Sequence, residues 1–347
     1  MSSLKKINFL RKKITRSLTR NVGKSQLQEK IDLSNITIKR ILISRPNHRL
    51  GNLLLITPLI QELTETFPQC QIDLFIKGNL GPVLFKNYSN VDRIISLPRK
   101  PFKQFLSYQK AWLSLKNRSY DLVINGDKIS SSGRLSVQLA RSRYKLFGDE
   151  SPDLELHSEI NQHMAKAPIL NFRSFVIYQN SKTTNEPTPR LNLKLSPAEI
   201  LEGRKKLKDL VQNEAKTICL FTFATGEKCL SKEWWLNFYE RLREEFPEYN
   251  IVEVLPMENV SQISFKAPTF YSRNLREIGS LIKNTQIFIG ADSGIMHLAS
   301  AAQAPTIGLF SISNEKRYYP YGNGSVSFNT QKCSQDELIA VTKRILK

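Results

Sequence analysis

The sequence has no apolar run long enough to span a bilayer, no C-x-x-C pair, no G-x-G-x-x-G fingerprint and no D-x-D carboxylate pair. Each absence narrows the reading. A membrane-spanning helix takes about 20 consecutive apolar residues, so none is expected. Cys70, Cys219, Cys229 and Cys333 show neither disulfide-framework nor metal spacing and read as reduced thiols. Without the glycine fingerprint, no nicotinamide or flavin site is expected. The N-terminus is basic but lacks an apolar core followed by a small-residue cleavage site. No signal peptide is therefore expected, and the chain reads as cytoplasmic.

The 347 residues suffice for two domains with sizeable cores. The formal charge of +20 is the compositional outlier. It implies attraction to polyanions without choosing among nucleic acid, anionic lipid and phosphorylated substrate. Part of it sits in an arm over residues 1–24. There Lys5, Lys6, Arg11, Lys12, Lys13, Arg16, Arg20 and Lys24 interleave with Leu4, Ile7, Leu10, Ile14 and Leu18. At helical spacing this gives an apolar stripe with a cationic remainder. Two readings stand: a foot on an anionic membrane surface, or a packed or disordered extension. No recognised nucleic-acid motif accompanies the charge, so no nucleic-acid partner is expected.

The most informative stretch is Thr285 to Phe310. Gln286 to Gly290 is a short β-branched and aromatic run, the mark of a buried strand. Ala291-Asp292-Ser293-Gly294 is a tight turn in which Asp292 or Ser293 can cap a helix. Ile295 to Gln303 has helical composition, and Pro305 stops it before the apolar run Thr306 to Phe310. Strand, turn, helix, strand make one unit of a parallel sheet. Its turn presents free N–H groups and a helix dipole at a strand's carboxyl end, an anion site in such sheets. The plainer alternative is a helix cap with a packing histidine. Similar alternation runs through the rest of the chain. Strands are expected at Lys39 to Ser44, Gln71 to Ile76, Val91 to Leu97, Asp121 to Asn125, Lys216 to Phe223 and Tyr249 to Leu255. Helices are expected from Asn52 to Thr66, from Ser196 to about Asn213, from Ser231, and over Asp336 to Leu346. Asn180 to Pro197 is polar and proline-containing, as an interdomain linker would be.

Asp292-Ser293-Gly294-x-x-His297-Leu298-Ala299-x-Ala301, followed by a proline and an apolar strand, resembles the signature of glycosyltransferase family 9, the heptosyltransferases of lipopolysaccharide assembly and their relatives. Other segments fall in family order. Gly51-Asn52 to Pro58 is similar to the G-D-x-x-x-x-x-P pattern. Thr225 and Lys232-x-Trp234 resemble the K-x-W unit, and Glu258 follows the next strand. The resemblance implies an α/β chain of the GT-B type: two Rossmann-like domains with parallel sheets facing a cleft, and a C-terminal helix crossing back to the first domain. The implied division is an arm over 1–36, an acceptor-side domain over 37–180, a linker over 181–197, a donor domain over 198–330, and the C-terminal helix over 331–347.

The implied reaction is transfer of a heptose or related sugar, with inversion, from a nucleotide-diphosphate sugar to lipopolysaccharide or another lipid-linked glycan acceptor. The enzyme would be peripheral on the inner face of the inner membrane. No cofactor and no metal are implied. Thr225, Lys232, Asp292, Ser293, Gly294, Ile295, Met296 and His297 would hold the donor diphosphate or sugar, and Glu258 the ribose. The pattern's aspartate, taken as the catalytic base, is Asn52 here, and an amide cannot accept a proton at neutral pH. His48 and Asp127 are candidate replacements. Asn52 also supports an alternative: a catalytically silent scaffold with a nucleotide-sugar fold.

Overall fold

The structure, a computed structural model, describes residues 37–101, 103–148, 163–177 and 186–347, with positions 17, 19, 21–23, 31 and 32 before them. Every basic and apolar residue of the expected membrane foot lies outside the described residues. The end of the arm that is described is packed. Arg134 donates to the Val22 carbonyl, and Gly23, at φ +88°, lies against the Phe147 ring. A Cβ at Gly23 would meet that ring at 2.4 Å, and the backbone there is left-handed, so both features call for glycine.

The chain divides into two units. One comprises residues up to His48, Pro58–Pro82 and Tyr88–Pro189; the other comprises Arg49–Thr57, Val83–Asn87 and Arg190–Lys347. The expected helix from Asn52 is broken at Leu55. It becomes α1 (Leu50–Leu54) and α2 (Thr57–Thr66). Pro58 sits in the first turn of α2, where its missing N–H removes no helical hydrogen bond.

In the first unit, β1 (Arg40–Arg45), β2 (Gln71–Lys77), β3 (Val91–Leu97), β4 (Ser119–Asn125) and β5 (Arg141–Leu146) form a parallel sheet in the order β3-β2-β1-β4-β5. Ile43 of β1 pairs with Leu74 on one side and Ile124 on the other. The centre of β1, Ile41–Leu42–Ile43, is apolar because it is covered on both faces. β5, reading RSRYKL, is an edge strand and gives no such signal. The crossovers after β3 and β4 carry α3 (Phe105–Leu113) and α4 (Ser131–Leu139). Further on, α5 (Ala167–Phe175) is fixed by Arg173. Its guanidinium forks onto Glu62 of α2 at 2.7 and 2.8 Å and donates to the Glu186 carbonyl at 2.6 Å. Breaking one side of so deeply buried a pair would cost on the order of 3–5 kcal/mol.

In the second unit, β6 (Thr217–Phe221), β7 (Asn250–Val254), β8 (Thr269–Phe270), β9 (Ile287–Ala291), β10 (Thr306–Phe310) and β11 (Val326–Asn329) repeat the arrangement in the order β8-β7-β6-β9-β10-β11, again all parallel. α7 (Lys232–Glu245) buries Trp235, Phe238, Tyr239 and Leu242 against this sheet. α6 (Pro197–Val211) starts with a capping box in which Ser196 accepts from the Glu199 N–H and Glu199 accepts from the Ser196 N–H. Glu199 also receives the Arg276 fork at 2.5 and 2.8 Å from α8 (Leu275–Lys283), which holds its carboxyl down to about 2. Arg276 further donates to the carbonyls of Val83, Leu193 and Lys194.

The C-terminal helix α10 (Gln335–Leu346) packs within the second unit. Leu338 and Ile339 join the core with Trp235 and Phe238, Gln335 donates to the Trp234 carbonyl at 3.0 Å, and Lys343 meets Glu245 at 2.5 Å. The apolar stripe of α10 finds a partner on α7. The segments that do change units are Arg49–Thr57 and Val83–Asn87, from the first half of the chain. Among the described residues, no helix is long and apolar enough to cross a membrane.

Candidate functional site

In the second sheet the chain leaves β6 toward β7 on one side and β9 toward β10 on the other. The loops after β6 and β9 therefore diverge and leave a crevice at the carboxyl edge, the place where open α/β sheets take ligands. The turn after β9 is Asp292-Ser293, and α9 (Gly294–Ala301) follows. Ser293 is extended, at φ −149° and ψ 173°, and its Oγ accepts from the Met296 N–H at 3.3 Å. This takes Met296 out of the expected phosphate-facing set. The N–H groups of Gly294 and Ile295 have no carbonyl of their own helix to bond and lie at its positive end.

Asp292 is buried, and its N–H is spent on the Leu309 carbonyl at 2.9 Å. A carboxylate so placed needs a charged partner. Lys228 supplies it, with Nζ at 2.5 Å from Oδ2. Lys228 ends a single 3₁₀ turn, Gly226–Lys228, which Thr225 precedes. Gly226 adopts φ +67° with open space around it, so the turn selects glycine by backbone angle alone. The lysine that meets the acidic turn is thus Lys228. Lys232, four residues on, is exposed at the start of α7 behind the Ser231 cap. Sequence reasoning missed Lys228 because a lysine before a tryptophan was the more conspicuous signal. The left-handed glycine after Thr225, which folds the loop back, was the clue.

His297 lies inside. Its ring packs edge-on to Tyr318, with centroids 6.2 Å apart, and presses on Gly51 of α1. A Cβ at Gly51 would fall 2.4 Å from His297 Cδ2, and one at Gly294 would fall 3.0 Å from the Leu50 Cβ. One glycine on each helix lets α1 and α9 approach closely, and this places Asn52, half-buried and next after Gly51, on the helix that packs against the acidic turn's helix. Burial pulls the His297 imidazole down to about 4; Lys228 pushes the same way and Asp292 opposes. At pH 7 it is a neutral packing group.

Glu258 is exposed in the loop after β7. That loop is anchored by a residue that sequence reasoning passed over as part of a strand. Glu253 is fully buried and accepts from the hydroxyls of Thr222 at 2.5 Å and Ser261 at 2.6 Å. Thr222 in turn accepts from the Gln262 N–H at 3.1 Å. Burial raises the Glu253 carboxyl above its ordinary value, and the two hydroxyls counter it. His48 and Asp127 belong to the first unit. His48 is exposed beside Gly78. Asp127 pairs with Arg45 at 2.5 Å and accepts from the Ile129 N–H at 3.2 Å. Among the described residues, no group of three or more His, Cys, Asp or Glu is placed to hold a metal ion.

Residues 271–341, from the lead into α8 through the acidic turn and α9 into α10, match the profile of glycosyltransferase family 9 (heptosyltransferase). Over 282 residues the chain is 22% identical to the lipopolysaccharide core heptosyltransferase OpsX of Haemophilus influenzae, spanning 76% of this chain and 77% of that protein. The chain is thus similar to glycosyltransferases of family 9 over this stretch and to a named heptosyltransferase over most of its length. The chain has the GT-B fold. It superimposes on the family 9 glycosyl transferase of Veillonella parvula with a TM-score of 0.69 at 16% identity, covering 92% of this chain and 99% of that one. For Escherichia coli heptosyltransferase WaaC with ADP, the TM-score is 0.66 at 14% identity, covering 88% and 99%.

Proposed function

We propose that this transferase moves a heptose or related sugar from a nucleotide-diphosphate donor to the lipopolysaccharide core or another membrane-anchored glycan, with inversion and without a metal ion. OpsX, named for action on the lipopolysaccharide core, supports the substrate class. The observation that carries the reading is the Asp292–Lys228 pair at the first turn of α9. The donor diphosphate would face the Gly294 and Ile295 N–H groups, and Lys228 would turn from Asp292 to the phosphate. In the transfer, the anomeric C–O bond to phosphate breaks and the new bond forms from an acceptor hydroxyl on the opposite face. The hydroxyl's proton goes to a base, and the nucleoside diphosphate leaves with the electron pair. Charge builds on the leaving phosphate, where a lysine and a helix terminus are worth most. Asn52 would orient the acceptor hydroxyl, while His48 or Asp127 would take the proton. A localisation at the inner face of the inner membrane goes with such an acceptor.

The deciding experiment is ADP titration by calorimetry on the native chain and on Lys228→Ala and Asp292→Ala, with EDTA in one arm and the anomeric configuration of any product read by NMR. Binding that both variants weaken supports the reading. A retained anomeric configuration, or activity lost in EDTA and restored by a divalent ion, would overturn its finer parts. Asn52 also favours the scaffold reading. Native turnover, abolished by Asp127→Ala or His48→Ala with ADP binding kept, would dispose of that alternative.

A further inference from the structure

The first domain shows an apolar surface that its own fold leaves uncovered. α3 (Phe105–Leu113) has two apolar sides. Its inner side holds Tyr108, Ala111 and Trp112, continued by Leu115. It packs on the sheet, with the Trp112 ring edge-on to Phe75 at 5.2 Å. Its outer side holds Phe105, Leu106 and Leu113, which are 56%, 82% and 61% exposed. At about 100° per residue these three fall within a third of the helix circumference, with the exposed Gln109 among them; Lys110 borders the arc on one side, and Lys103 is exposed just before the helix. Lys116, also exposed, follows directly. A surface helix ordinarily turns polar residues outward, so three large apolar side chains together on that side mark a face that something else covers.

We propose that this face seats the protein on an anionic bilayer surface. The lysine border and the apolar stripe fit that occupant together: the stripe enters the headgroup boundary while the lysines meet lipid phosphates. The domain's charge agrees. Residues 1–189 hold 30 Lys and Arg against 14 Asp and Glu, whereas residues 190–347 hold 21 against 17. A second copy of the chain fits less well, because two like faces would bring their lysine borders together. A nucleic acid would leave the leucines unused. α3 begins at the carboxyl edge of the first sheet, the edge from which Arg45, Asp127 and the Gly78 turn project. A seat at α3 would present that edge to the membrane surface. The inference stands on this surface and not on the transferase reading.

The test is co-sedimentation of the full-length protein with vesicles of phosphatidylcholine alone and of phosphatidylcholine mixed with phosphatidylglycerol. Three variants accompany it: Phe105→Ser/Leu106→Ser/Leu113→Ser, Lys103→Glu/Lys110→Glu, and a deletion of residues 1–24. The native protein should partition onto the anionic vesicles, less so as salt rises. The triple variant should lose at least tenfold in partition, and the lysine variant roughly fivefold for each lysine removed. Their melting temperatures and ADP affinities should stay native, and the arm deletion should leave the triple variant's effect intact. The inference is overturned if the native protein ignores anionic vesicles or binds the neutral ones equally. It is also overturned if the triple variant partitions as the native chain does, or if deleting residues 1–24 alone abolishes binding. A change from dimer to monomer in the triple variant, seen by light scattering, would instead assign the face to a second copy. Vesicle binding without ADP binding would sink the transferase reading and leave this one standing.

Discussion

At the reversal point of the first sheet, Arg45 at the end of β1 meets Asp127 beyond β4. At that of the second, Lys228 beyond β6 meets Asp292 beyond β9. The second sheet repeats the five-strand order of the first and adds one edge strand, and each joins a cation to a carboxylate at the same topological place. The chemistry of the two pairs differs. In the first, the cation side chain is 3% exposed and the carboxylate 16%, and Arg45 also reaches the Gly126 carbonyl at 3.4 Å. A planar fork so enclosed is a fixed brace. In the second the balance is reversed: the carboxylate is 6% exposed and the cation 37%. Lysine is a point charge on a flexible stem, and from the surface side it can reach toward another anion while it stays near Asp292. One topology thus carries a brace in one domain and a clasp in the other.

The largest effect that separates the two is on ligand affinity. Lys228→Ala should lower affinity for ADP by up to roughly 100-fold, the upper worth of a charge-assisted phosphate contact. Lys232→Ala should change it less than threefold. Equal losses in calorimetry would return the role to Lys232. A similar magnitude is expected in acid stability. The unfolded chain protonates His297 as pH falls through its ordinary value near 6.5, while the folded chain resists until about 4. The stabilisation is therefore complete above that upper value and is lost on the way down to 4, by roughly 3 kcal/mol. Urea midpoints compared at pH 7 and pH 4.5 should show this loss in the native chain and a smaller one in His297→Gln. Asp127→Asn should cost about 2 kcal/mol of stability by leaving the Arg45 charge enclosed without its counter-ion, with ADP affinity unchanged. A drop in ADP affinity there would erase the distinction between brace and clasp. Gly51→Ala should cost about 1–3 kcal/mol through overpacking against His297. The double variant Gly51→Ala/His297→Ala should be more stable than the two single costs add up to, because the new methyl enters the space the imidazole vacates.

Much of this architecture is legible in the chain. The buried strands β1, β6, β9 and β10 announce themselves because both their faces are covered, so no polar alternation interrupts them. Ser196 and Glu199 mark a helix start by chemistry that acts within four residues. The edge strands β5, β8 and β11 were not legible, since half-exposed backbone tolerates RSRYKL as readily as an apolar run. The partner of α10 was not legible either: a stripe specifies that a face is buried but not which helix covers it. At the candidate site the acidic turn and its helix could be read as a local pattern. The choice between Lys228 and Lys232 could not, because it depends on a left-handed glycine that folds the loop back across the sheet edge. Nor could the role of Gly51 be read, since only the approach of α1 to α9, about 240 residues apart in sequence, places an imidazole over it.

The guanidinium of Arg276 gathers the carbonyls of Val83, Leu193 and Lys194, and Asn87 donates to that same Lys194 carbonyl at 2.6 Å. Two stretches encoded in the first half of the gene product are thereby structural property of the second. For protein engineering this sets where recombination can succeed. A chimera joined at Pro189, the apparent seam, would give Arg276 a foreign loop and His297 a foreign helix to close against. An exchange of N-terminal domains between relatives should instead carry residues 49–57 and 83–87 along with the C-terminal half, as two inlays within the transplanted N-terminal sequence.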